Sequence, residues 1–167
     1  MPSLNLDIVT GAQIAVAIAN FFMAFMMWKS IKEIRKDRKR SYLEKRLEEF
    51  YLPLINLFSS KSEKSAQDTA KIEEIIVSKR YLCEKRVAKV LPQHFEGFAC
   101  EPTHVGCSDS KYFYFHSEEE LKKWIEVANT IWEEYIDVLK EYYKIIGIKH
   151  YVLPKKPEKW MFEKWRL

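Results

Sequence analysis

The chain has 167 residues, of which 47% are hydrophobic, 31% charged and only four glycine. That composition fits one domain of ordinary size and excludes a collagen-like, disordered or polytopic membrane chain, and three cysteines exclude a disulfide scaffold. The formal net charge of +4 is concentrated in one block, Lys29, Lys32, Arg35, Lys36, Arg38, Lys39 and Arg40, against Glu33 and Asp37, so that residues 41–167 carry no net charge. A body without excess basic charge is not expected to bind nucleic acid.

The first element in chain order is the run Ile8 to Trp28, in which 17 of 21 residues are apolar and none is charged. As a helix it would be about 31 Å long, close to the hydrocarbon thickness of a bilayer. Trp28 closes it where an aromatic anchor belongs, and the basic block follows at once. The tail before it has Asp7 and no Lys or Arg. The sequence therefore predicts a single transmembrane helix within residues 1–28, with the N-terminus outside and the rest of the chain in the cytoplasm. Residues 29–40 form a basic neck, in which Trp28, Lys29, Lys32, Arg35, Lys36, Arg38, Lys39 and Arg40 are the candidate membrane-surface residues. A cleaved signal peptide would need a basic start, which is absent, although Ala17-Ile18-Ala19 resembles a cleavage site.

Gly11, Ala15 and Ala19 recur every four residues, a ridge of small residues along which a second helix backbone can approach. Gln13 and Asn20, seven apart on a neighbouring stripe, would seek hydrogen-bond partners on another helix. The expected partners are membrane lipid and another membrane subunit or a copy of this chain.

Beyond the neck, residues 41–147 read as an antiparallel bundle of about three helices with coiled-coil-like seams. Leu43, Leu47, Phe50, Leu54 and Leu57 follow a 4-3-4-3 spacing, and Pro53 should kink or restart the helix. A second helix is expected from Ala66 to Val90, ended by Pro92. A third opens with a capping box, Ser117 with Glu120, and carries Leu121, Trp124, Ala128, Ile131, Tyr135, Val138, Tyr142 and Ile145 to a stop at Gly147. The adjacent carboxylates Glu73-Glu74 and Glu133-Glu134 point about 100° apart on their helices and read as solvated faces.

The irregular insert 92–116, whose end, Tyr112 to Phe115, reads as a short strand or an extended aromatic plug, holds Cys100, Cys107, His94, His104 and His116. These residues could supply soft and borderline ligands to zinc, but Cys-x3-His-x2-Cys is not a common zinc spacing. A Cys–His hydrolase built on the same residues would lack any nucleophile motif, and no catalytic residue is assigned. The C-terminal tail, 148–167, mixes Trp160 and Trp165 with lysines; it either folds back onto the bundle or faces outward, onto anionic lipid or into a partner groove. The sequence thus predicts an all-α fold, a single N-terminal transmembrane helix continuing into a cytoplasmic helical bundle with one Cys/His-containing insert. Its leading function is that of a non-enzymatic membrane-anchored interaction protein, an accessory subunit or self-associating scaffold without cofactor. The alternative is a membrane-anchored sensor or enzyme working through the insert, with zinc as its metal.

Overall fold

The computed structural model describes residues 3–59, 66–91 and 118–160. Those residues are all-helical apart from turns and the extended tail, with no strand among them. The helices are α1 (Ser3–Arg46), α2 (Leu52–Ser59), α3 (Ala66–Lys79), α4 (Lys85–Val90) and α5 (Glu118–Ile146). A wide π turn, Leu47–Tyr51, joins α1 to α2, and a 3-10 turn, Arg80–Leu82, follows α3. The insert 92–116, with its zinc candidates and its expected strand or plug, lies outside the described residues, as do Ser117 and Trp165.

The chain divides into two compact units, residues 1–41 and 42–167. The first is a single helical rod. From Thr10 to Ser41 every side chain on it is exposed, including Phe21, Phe22, Met23, Phe25, Met26, Met27 and Trp28. By length and composition this helix is able to cross a membrane.

The second unit is built around one apolar core. The last turn of α1, the π turn and α2 contribute Leu43, Leu47, Phe50, Tyr51, Leu54 and Phe58. The expected seam holds as far as Leu54 and then changes. Leu57 is only partly buried, and Phe58 takes the core position. The cause is the π turn, in which the Leu52 N–H reaches back five residues to Leu47 O. One extra residue in the turn brings both Phe50 and Tyr51 inside, with rings edge to face at 5.1 Å. Pro53 explains the location of the turn. In a regular helix its ring would press on the Glu49 carbonyl, and it has no N–H to donate there.

The expected second helix, Ala66 to Val90, is broken. It ends at Lys79, passes through the 3-10 turn and restarts at Lys85, because Cys83 and Glu84 are extended. The third helix runs from Glu118 to Ile146. Its seam is buried from Leu121 through Trp124, Ala128, Ile131, Tyr135 and Val138, and only partly buried at Tyr142 and Ile145. Gly147 ends it with φ +83, and the Ile148 N–H bonds to Tyr143 O at 3.0 Å, which is a Schellman stop.

The tail then returns to the core. Tyr151 lies on Tyr143 with ring centroids 4.5 Å apart. Trp160 is 2% exposed, within 6.4 Å of the Phe58 ring and 6.3 Å of the Trp132 ring, and its indole N–H donates to Asn129 Oδ1 at 2.9 Å. Of the two readings of the tail, Trp160 follows the first and completes the bundle.

Candidate functional site

Two features stand apart from ordinary bundle packing, one in each unit. The first is the surface of α1. Every fourth residue advances a helix by about 40° beyond a full turn, so Gly11, Ala15 and Ala19 share an arc of about 80°. They are exposed along it, and a Cβ built on Gly11 meets nothing within 4 Å. Gln13 and Asn20 lie about 150° around from the centre of that ridge. They are therefore not on a neighbouring stripe, and one partner helix cannot meet both. Trp28 contacts Phe25 at 6.1 Å between ring centroids, and the Lys32 ammonium sits 5.6 Å from the Trp28 ring. Lys29, Lys32, Arg35, Lys36, Arg38, Lys39 and Arg40 are all exposed.

The second feature is a buried polar node in the bundle. Arg46 is 3% exposed and Glu134 2% exposed. The Arg46 guanidinium donates from Nε to Leu82 O at 2.8 Å, from Nη1 to Glu84 Oε1 at 2.9 Å and from Nη2 to Tyr51 Oη at 3.0 Å. It also lies 5.6 Å from both the Tyr42 and the Tyr51 rings. The Tyr51 hydroxyl, having accepted from Arg46, donates to Glu134 Oε2. Glu134 then accepts the Glu84 N–H at 3.2 Å and the Val87 N–H at 3.1 Å. Those are the N-cap and N3 donors of α4, whose own N-cap residue makes no side-chain cap. A carboxylate on α5 thus caps α4 from outside and holds it where the second helix breaks.

Electrostatics follow from this arrangement. Burial works against the Arg46 charge, but Tyr51 and Glu84 outweigh it and hold the guanidinium above its ordinary value. Burial, and then the hydrogen bond to Glu134, push the Tyr51 hydroxyl far up, so it stays protonated and keeps its donor role. Nearby, burial raises the Cys83 thiol, which donates to Arg80 O at 3.0 Å. The reading of Glu133 and Glu134 as a solvated pair is corrected here. Glu133 is exposed and faces Arg86 at 3.6 Å, while Glu134 is interior. Among the described residues no group of three His, Cys, Asp or Glu side chains is placed to hold a metal ion.

These features define a helical body that follows a long exposed apolar helix. A family model described as an uncharacterized protein matches residues 40–163. An uncharacterized protein of Archaeoglobus fulgidus is 33% identical over 155 residues, which cover 93% of this chain and 76% of that one. A solved structure, the C-terminal domain of a protein of unknown function from Archaeoglobus fulgidus, matches with a TM-score of 0.59 and 38% identity, covering 73% of this chain and 96% of that chain. The chain belongs to the family that the model describes.

Proposed function

We infer that the protein is a single-span membrane protein whose helical body serves as an interaction module on the cytoplasmic side, without catalysis of its own. The observation that carries this reading is the bare apolar surface of α1: from Ile14 to Trp28 its large side chains are half or more exposed, including Phe21 at 75% and Phe22 at 64%. Such a surface is far larger than a soluble chain leaves in water, and hydrocarbon is the medium that suits it; the apolar run Ile8 to Trp28 that carries it is about 31 Å long as a helix. The basic neck that follows orients the body inward. The family match begins at residue 40, and the similar solved structure is titled a C-terminal domain, both of which suit a separable body behind an anchor. The small-residue ridge and the amide stripe face different directions, so they would engage different neighbours.

Two measurements test the reading. Full-length protein in cell membranes should resist extraction by alkaline carbonate, and a reporter fused after Leu167 should be active only if it works in the cytoplasm. Release by carbonate, or a reporter active only outside, refutes it. Association through the span should fall with Ala15→Leu and not with Val16→Leu. If neither self-association nor co-purifying protein responds to Ala15→Leu, the span is an anchor only.

A further inference from the structure

The charges of the neck are not spread evenly around α1. At about 100° per residue, Trp28, Arg35, Lys39, Lys32 and Lys36 fall within one arc of about 100°, and Phe25 falls in the same arc one turn earlier. Glu33 and Asp37 lie about 110° and 150° from its centre. Around Lys32 and Arg35, every residue at a spacing of three or four is basic, aromatic or aliphatic. Lys32 and Lys36, and Arg35 and Lys39, are like-charge pairs four apart, each of which works against the helix that carries them. A neck made only to be helical and soluble would interleave Glu at these positions. This one concentrates positive charge on the face that continues the aromatic edge of the span.

We propose that this face, Lys32, Arg35 and Lys36 beside Trp28, binds anionic phospholipid headgroups, and that α1 leaves the bilayer leaning toward it. The proposal rests on the membrane-anchored reading above and adds the lipid class and the contacting face. Distance supports it. Lys32 lies about 6 Å beyond Trp28 along the axis, and Arg35 and Lys36 about 10 and 12 Å beyond. The headgroup layer is roughly 5–8 Å thick on each side. Lys and Arg stems reach back several ångströms, and an ordinary tilt of about 20° lowers that face further. The Lys32 ammonium is already drawn back over the Trp28 ring at 5.6 Å, so its charge is held at the interface end of the neck. A basic side chain near an anionic surface is favoured about fivefold in local equilibrium.

The full chain would be reconstituted in phosphatidylcholine vesicles containing trace spin-labelled phosphatidylglycerol or spin-labelled phosphatidylcholine. The immobilised fraction of each label gives their relative affinity for the protein. The native chain should prefer phosphatidylglycerol about threefold or more. The preference should fall to near unity in Lys32→Gln/Arg35→Gln/Lys36→Gln, and in the native chain at 1 M salt. Removing three exposed charges from the body, with Lys122→Gln/Lys123→Gln/Lys149→Gln, should leave it unchanged. Equal immobilisation of both lipids by the native chain overturns the proposal and leaves the anchor standing; the basic face would then meet a protein or a nucleic acid instead. A preference that survives the neck variant also overturns it. If the chain immobilises neither lipid, the membrane reading itself fails.

Discussion

Glu133 and Glu134 are neighbours in sequence, and their substitution by Gln should have very different costs. Glu134 takes three donors: the Tyr51 hydroxyl and the Glu84 N–H on Oε2, and the Val87 N–H on Oε1. A Gln amide offers one acceptor oxygen. Whichever way it turns, its NH2 group faces at least one of those donors, and a buried donor left unpaired costs about 1–3 kcal/mol. The remaining bonds also lose the charge assistance of a carboxylate linked through Tyr51 to a buried guanidinium. Glu134→Gln should therefore destabilise by about 2–4 kcal/mol. Glu133 is 61% exposed, with an Arg86 contact at 3.6 Å, and its replacement should cost under about 0.5 kcal/mol. Equilibrium urea unfolding of the full chain in mild detergent, followed by tryptophan emission, reads both. If the two variants fall within about 0.5 kcal/mol of each other, the node is not a structural tie.

Three further outcomes are expected from the same assay. Gly147→Ala should cost about 1 kcal/mol from the positive φ alone, since the added Cβ meets nothing within 4 Å, and a neutral result would mean that the Schellman stop is not formed. Trp160→Ala should cost about 3–5 kcal/mol, because the indole is 2% exposed and bonded to Asn129, whereas a tail lying on the surface would lose almost nothing. Burial holds the Cys83 thiol above its ordinary range, so the stability it contributes is fully present below the unfolded thiol value, near pH 8.5, and is lost as the pH rises toward the folded one. The fall in urea midpoint between pH 7.5 and 9.5 should accordingly be smaller in Cys83→Ala than in the native chain.

Helical periodicity carried most of the fold. The α5 seam from Leu121 to Val138 is buried at each expected position, because a regular helix repeats the pattern that the sequence states. Two breaks in that regularity were not legible. Pro53 announces a disturbance but does not say that a π turn will absorb it, and the extra residue moved the core position from Leu57 to Phe58. The gap at Cys83–Glu84 has no Gly or Pro to mark it, and what caps the start of the next helix is a carboxylate 50 residues away. Yet the node left a trace. Arg46 stands three after Leu43 and four before Phe50, and Glu134 three after Ile131 and four before Val138. One basic and one acidic residue, each set among apolar positions of a buried seam, are the trace of a buried link between two helices. The surface of α1 was legible in composition, but the relation between the ridge and the amide stripe needed helical angles rather than spacing.

Buried ion pairs can often be replaced by apolar residues of similar volume with no loss, or with a gain of about 1–4 kcal/mol, because two desolvated charges disappear together. The node of Arg46, Tyr51 and Glu134 should behave otherwise, for a reason visible in its partners. Half of its hydrogen bonds go to backbone: the Leu82 carbonyl, the Glu84 N–H and the Val87 N–H. Arg46→Met/Tyr51→Phe/Glu134→Leu removes all three charged or hydroxyl groups and leaves those three backbone groups behind. Each one that water does not reach costs about 1–3 kcal/mol, which offsets or exceeds the usual gain. The triple variant should be less stable than the native chain by about 2 kcal/mol, with the loss concentrated at α4. Hydrogen exchange gives a local reading, since the Glu84 and Val87 amides should lose protection while the Ile131 amide keeps it as long as the bundle stays folded. A triple variant as stable as the native chain, with both amides still protected, would show that α4 holds its position by packing alone and that Glu134 is not its cap.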